Sequence, residues 1–309
     1  MIPVLISKLS SMILLTLVGL LTVRIGLIKP EEGRAFSKMV VFVLQPCMIV
    51  RAFQIELTSE RIFGFVSAMI FCFLIYFFWT VLSFLLKKPL KLNKVEEMTL
   101  IYSNVGNLVL PLISMVLGEE MVFYASAIQL PFNAFLWTHC NTVLSGEKRM
   151  DFKKIFLNSN LIAIYLGLFL MITGLRFPDV IDTAVSSLSS MVGPLSMIVI
   201  GMVIGQEDLK TVFLFKKGYL VSFLRLIVYP MLVLGILFLT GFLRIYPTLV
   251  PVFQVIFFAL AAPPAAMVSQ LALLYDENPG EAGRLNVLGT VLCGVTLPLV
   301  LSCFEFLFH

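Results

Sequence analysis

Two short stretches put carboxamides, hydroxyls and prolines into otherwise apolar sequence. One is Ser103-Asn104-Val105-Gly106-Asn107-Leu108-Val109-Leu110-Pro111, and the other is Ala262-Pro263-Pro264-Ala265-Ala266-Met267-Val268-Ser269-Gln270. A proline inside a helix removes an N–H donor and clashes with the carbonyl one turn earlier, so each stretch must break a helix and release backbone polar groups. Asn104 and Asn107 stand three residues apart, on one helix face, and each offers two donors and an acceptor. Freed N–H groups at a helix N-terminus carry positive partial charge, so together with the carboxamides they suit an anion, a carboxylate above all. Ser269 and Gln270 follow the second break and could complete that site, or help freed carbonyls hold a sodium ion near Asn104 and Gln270.

The elements that must position these residues follow from hydropathy and charge. Of 309 residues 60% are hydrophobic and 13% charged, with a mean hydropathy of +1.02. An ordinary soluble domain has about 45–50% apolar and about 25% charged residues, so lipid is the solvent for most of this chain. A spanning helix needs about 20 apolar residues. Apolar stretches fall at about 3–23, 36–54, 62–86, 96–117, 121–145, 158–175, 184–205, 218–241, 249–275 and 283–307, which predicts an all-α membrane protein of ten transmembrane helices. The interrupted stretches are the fourth and ninth. With the N-terminus outside, sixteen Lys and Arg residues fall on the cytoplasmic side and four outside, as the positive-inside rule requires. Deleting the fourth span would send Lys148, Arg149, Lys153 and Lys154 outside, so the interrupted segments must cross. A cleaved signal peptide at the first span would instead invert every later loop, and the charge count disfavours it. The expected location is a plasma or inner membrane, with both termini extracytoplasmic.

Five spans (1–145) precede the basic linker 146–157 and five (158–309) follow it. Because five is odd, the second half enters the membrane inverted, the arrangement expected of secondary transporters. Pro46 in the second span is echoed by Pro194 in the seventh, and with Gly106 these are candidate break or gating points. Arg225 lies eight residues past Lys217, about 12 Å into its helix, too deep for easy snorkelling. It is expected to bond carbonyls or act electrostatically. Lys8 and Glu305 lie near span ends, as snorkelling residues do, and Gly201 and Gly205 have the spacing of a close helix contact. Gln45 and Asn133 are expected to serve as helix–helix hydrogen bonds and His139 as a structural histidine.

Other functions are excluded by what is missing. The densest basic cluster, Lys87, Lys88, Lys91 and Lys94, is too small for a nucleic-acid surface. There is no HExxH helix, no paired aspartates within the membrane and no Ser/His dyad at depth, so an enzyme is not expected, nor a cofactor or resident metal. Cys47, Cys72, Cys140, Cys293 and Cys303 all lie in apolar segments without a CxxC pair and are expected to be buried, inert thiols. Seventeen of the 18 carboxylates fall in loops or at helix ends, which argues against a buried acidic proton relay.

The sequence resembles the auxin efflux carrier family, which includes plant PIN-type exporters and bacterial malonate-permease-like proteins. The resemblance rests on Asn104-x-Gly106 followed by Pro111-Leu112, on Leu161-Ile162-Ala163 with Gly167, on Pro194 to Gly201, on Arg225 with Pro230, and on the break at 259–270. Val109 stands where the family commonly has a second glycine, and Asn158-Ser159 where it has Asn-Pro. The resemblance implies a bile-acid-symporter-like fold of two inverted five-helix repeats. Helices 1, 2, 6 and 7 would form a scaffold, and helices 3–5 and 8–10 a moving transport domain. It places a substrate carboxylate where broken helices 4 and 9 cross, within reach of Asn104, Asn107, Pro111, Pro263, Pro264, Ser269 and Gln270. It leaves room for a homodimer through the scaffold helices. The expected function is elevator-like transport of a small mono- or dicarboxylate; a sodium-coupled symporter and a non-transporting sensor are the alternatives.

Overall fold

The computed structural model describes residues 2–146, 156–206 and 208–308; the linker cations and the Lys8 side chain lie outside the described residues. Helix α1 is Ile2–Arg24. Helix α2 runs from Pro30–Met39 through a π turn at Val40–Leu44 into Gln45–Ala52, and α3 is Ser59–Lys87. The fourth apolar segment is divided into α4, Lys94–Ile101, and α5, a π turn at Val105–Val109 that continues as Leu110–Val116. Helix α6 runs from Met121–Phe135 through a π turn at Leu136–Cys140 to Asn141–Ser145. Helices α7, Ser159–Thr173, and α8, Asp179–Gln206, are followed by the short α9, Leu209–Phe213, and by α10, Lys216–Thr240, which carries a π turn at Leu224–Val228. The ninth segment is divided again, into α11, Val250–Ala261, and α12, Ala266–Leu274; α13 is Pro279–Phe308.

Every apolar segment of the sequence is therefore helical. Five stretches are long and apolar enough to cross a membrane by length and composition: Ala35–Ala52, Ser59–Lys87, Asp179–Gln206, Lys216–Thr240 and Pro279–Phe308. Large apolar side chains such as Phe77 and Phe84 on α3 and Leu299 and Phe306 on α13 are exposed. In water that surface would be unstable; in lipid it costs nothing, which makes this an all-α, multi-pass membrane protein. Cys303 shares that exposed surface, contrary to the expectation that every thiol is buried.

Local sequence accounts for where the helices start and bend. Asn93 opens α4 with a reciprocal cap: its side chain accepts from the Glu96 N–H at 2.9 Å, and Glu96 accepts from the Asn93 N–H at 2.8 Å. Asn158 caps α7 by accepting from the Leu161 N–H at 3.1 Å. Three of the π turns end two residues before a proline, at Pro46, Pro111 and Pro230. The carbonyl that a proline crowds is four residues back, here that of Phe42, Asn107 or Leu226, at the centre of each π turn. The wider turn absorbs the clash, so α2 and α10 stay continuous. Pro194 has no such turn before it; it lies exposed inside the unbroken α8, and its likeness to Pro46 does not extend to backbone geometry.

Packing falls into two neighbourhoods. In the first, α1 lies along α8, while α2 packs against α7 and α8. The α1–α8 seam is a backbone contact. A Cβ on Gly19 would come within 1.9 Å of the Ile198 carbonyl oxygen, and one on Gly201 within 1.9 Å of the Thr16 carbonyl oxygen. The small-residue spacing noted in the sequence is thus a close contact. In the second neighbourhood α3 packs on α6, and α11 and α10 pack on α13. Phe53, Phe65 and Phe123 join α2, α3 and α6 through edge-on and tilted ring contacts at centroid distances of 5.9, 4.9 and 5.0 Å.

Candidate functional site

The two helix breaks meet. The Asn104 N–H donates to the Pro263 carbonyl and the Ala265 N–H to the Tyr102 carbonyl, each at 2.9 Å, forming an isolated antiparallel bridge between Ser103 and Pro264. Each extended segment satisfies backbone groups that its partner's helix break leaves without a helical partner, which is how non-helical chain survives in the interior of a membrane protein. Gly289 of α13 makes room for this bridge, since a Cβ there would lie 2.4 Å from the Pro264 ring. Asn286 of the same helix donates to the Pro264 carbonyl at 3.1 Å. Gln45, just past the π turn of α2, donates to the Gly106 carbonyl at 2.8 Å and accepts from Asn160 at 3.3 Å, tying α5 to α2 and α7.

Beside the bridge is a cavity of about 560 Å³. That is within the usual range for a small-molecule site, about 300–1,000 Å³. The first turns of the two half-helices supply Gly106 and Asn107 on one side and Met267 on the other, with Ala265 preceding the second. Asn104, Gln270, Gln129, Asn133 and Asn160 add carboxamides, and Ser37, Lys38, Phe42, Trp137 and Asn158 complete the wall. A smaller adjoining space of about 110 Å³ shares Asn104, Asn107 and Gln270 and brings in Ser196, Asn286 and Thr290. The Gln129 amide nitrogen and the Asn160 amide oxygen are buried without a hydrogen-bond partner. Both residues line the cavity, and such atoms are costly unless a ligand or water meets them.

Of the residues singled out in the sequence, Asn104, Asn107, Gly106 and Gln270 come together on this cavity. Pro263 and Pro264 form the bridge, and Pro111 is buried at the start of the α-helical part of α5. Ser269 bonds the Ala282 carbonyl at 3.0 Å and so fastens α12 to α13. Gln45 is the interhelical link expected of it. Asn133 bonds the Gln129 carbonyl of its own helix at 2.8 Å, not a neighbouring helix, and lines the cavity. Gln129 and Asn160 carried no comparable sequence signal, because an isolated carboxamide in an apolar helix looks the same whether it faces a cavity or another helix. Among the described residues, Lys38 is the one cation on the wall of the larger cavity.

Three charged features sit apart from the cavity. Arg225 is fully buried, but it makes no carbonyl bond: its three nitrogens have no hydrogen-bond partner, and its guanidinium stacks on Trp79 at 4.9 Å. Glu96 and Glu97 begin α4 as expected of helix-end carboxylates, yet both are buried, paired with Lys217 at 2.6 Å and Lys87 at 2.7 Å. His139 lies 3.0 Å from the Tyr102 hydroxyl, which also donates to the Phe135 carbonyl at 3.0 Å. With its proton committed there, Tyr102 accepts from His139 Nδ1–H, a structural role.

A broken-helix bridge beside a carboxamide-lined cavity, in a chain whose outer surface is apolar, is the anatomy of a membrane carrier. No curated relative matches the chain. The family model described as membrane transport protein matches residues 4–148 and 142–301. Those ranges take in nearly the whole sequence, and the chain belongs to this family, that of the auxin efflux carriers and related membrane transporters.

Proposed function

We propose that this protein is a secondary transporter of a small organic anion, a mono- or dicarboxylate, bound at the crossover of the fourth and ninth spans. The observation that carries the reading is the bridge between Tyr102-Ser103-Asn104 and Pro263-Pro264-Ala265 beside a cavity lined by residues of both half-helix first turns. Donors there are held by the two breaks, and no carboxylate lines the cavity among the described residues. Lys38, exposed on α2, supports the reading by offering a positive charge beside the entrance. Asn104 and Asn107 would hold the carboxylate, Gln129, Asn160 and Gln270 would orient it, and Phe42 and Trp137 would contact its apolar part.

Ten spans in two inverted halves follow from the loop charges. On that topology Ser37, Lys38, Trp137 and Asn158 lie toward the cytoplasm, so this is an inward-open conformation. Helices α1, α2, α7 and α8 would be the scaffold and the remaining helices the moving domain. The packing neighbourhoods support that division, and alternating access would be a displacement of one against the other.

The test is flux. Purified protein in liposomes should take up or release radiolabelled small carboxylates, and an imposed potential should drive the anion toward the positive side, with about 2.3 kcal/mol per charge per 100 mV. Absence of flux in both directions across a panel of mono- and dicarboxylates refutes transport; binding without flux would select a sensor.

A further inference from the structure

We infer that Arg225 is a built-in counter-charge for the two half-helices that end at the crossover, occupying the electrostatic place that a coupling cation would otherwise fill, so that the carrier needs no sodium. This deepens the transport reading and rests on it only for its consequence for coupling.

The starting observation is an imbalance. Arg225 is 0% exposed and none of its three guanidinium nitrogens has a hydrogen-bond partner. Among the described residues no carboxylate forms an ion pair with it, and its polar neighbours include Tyr76, Tyr229 and Cys293. A buried cation without a counter-charge is costly, and a single ring contact with Trp79 at 4.9 Å offsets only part of that cost. Some other negative potential must hold it.

The fold supplies that potential. Helices α4 and α11 both run into the crossover with their C-terminal ends, and a helix C-terminus carries about half a negative elementary charge from its unpaired carbonyls. Two such ends make about one negative charge, which one guanidinium balances. Arg225 is in the right place to do so. Its π turn packs on α4, α11 and α13. Two of its electrostatic neighbours touch the ends themselves: the Tyr76 hydroxyl is 3.3 Å from the Ser103 hydroxyl in the first break, and the Cys293 thiol is 3.7 Å from the carbonyl of Ala261, the last residue of α11. The opposite poles, the N-terminal turns of α5 and α12, face the cavity, where no carboxylate stands among the described lining residues. Cation on one side and half-helix N-termini on the other give the crossover a polarity that favours an anion on the cavity side. The π turn before Pro230 aids this placement by widening the helix at the residue that carries the charge.

The experiment compares thermal unfolding and carboxylate flux of the full-length protein in sodium chloride and in choline chloride at equal ionic strength. Wild type and Arg225→Lys, which keeps the charge, should melt at the same temperature and transport at the same rate in both salts. Arg225→Gln should melt several degrees lower in choline and regain part of that loss in sodium, because a small cation can then reach the exposed carbonyl ends. If neither Arg225→Gln nor Arg225→Met folds while Arg225→Lys does, the charge requirement stands. A wild type that sodium raises in melting temperature or flux overturns the inference. So does a folded neutral variant that is indifferent to sodium, or an Arg225→Lys variant that fails where Arg225→Met folds. A wild type that moves no carboxylate but melts alike in both salts defeats the transport reading alone.

Discussion

Asn104 divides its atoms between two tasks. Its N–H is committed to the Pro263 carbonyl, and its carbonyl accepts from Leu108 and Val109 at 3.2 and 3.1 Å, while its side chain lines the cavity. Asn104→Ala should therefore fold normally, keep wild-type melting behaviour within about 1 kcal/mol, and lose transport by tenfold or more, since a hydrogen bond to a charged group is worth about 1.5–3 kcal/mol. Unchanged flux in liposomes would remove Asn104 from the site. Lys38 offers a different test. It is exposed, so Lys38→Gln should leave maximal flux nearly intact and weaken apparent affinity several-fold at low salt, with the difference vanishing as salt screens the charge. At this scale the sequence was partly legible. Asn104 and Asn107 stood out because polarity and proline coincided there. Gln129 and Asn160, whose unpaired amide atoms reveal their surroundings, are single carboxamides in apolar runs, and nothing local separates a cavity-facing one from an interhelical one.

Prolines act at the scale of the element, and their effect depends on what surrounds them. Pro46 and Pro230 sit two residues past a π turn in continuous helices, whereas Pro263 and Pro264 stop α11 outright because two adjacent prolines remove two donors in succession. Hydropathy and composition located both breaks but not the π turns, which arise from the carbonyl each proline crowds and leave no residue signature of their own. The bridge depends on a neighbour as well as on its own prolines. Gly289→Ala would press a methyl group to 2.4 Å from Pro264, so we expect it to shift the second break and cut carboxylate flux more than it lowers stability. Wild-type flux in Gly289→Ala would show that the bridge tolerates displacement. At the α1–α8 seam the collision is with backbone: Gly201→Val should destabilise the protein by about 3 kcal/mol, read as a lower melting temperature in detergent.

For the whole molecule, the same low charge content that excluded a soluble fold also determines which groups are available for coupling. Among the described residues the buried carboxylates Glu96 and Glu97 are paired with Lys217 and Lys87, away from the cavity. A ligand that binds the folded state raises its apparent stability, by about 2.7 kcal/mol at a concentration one hundred times its Kd. A panel of organic acids screened for thermal stabilisation of the purified protein should therefore pick out one chemical class, and Asn104→Ala should abolish that shift while leaving the unliganded melting temperature in place. Stabilisation by organic cations and not by anions would overturn the assignment of charge. The all-α, multi-pass character was readable from hydropathy because apolar runs extend over tens of residues. The meeting of the two breaks, which are far apart in sequence, was only an expectation until the bridge supplied it.

That bridge is made of main-chain atoms alone: two N–H groups and two carbonyls join the halves, and no side chain takes part in either bond. Recognition, by contrast, is carried by a handful of side chains around it. On the proposed reading, substitutions at Asn107, Gln129, Asn160 or Gln270 would change which substrate is carried without loosening the joint, since the bridge and the cavity wall are built from different atoms.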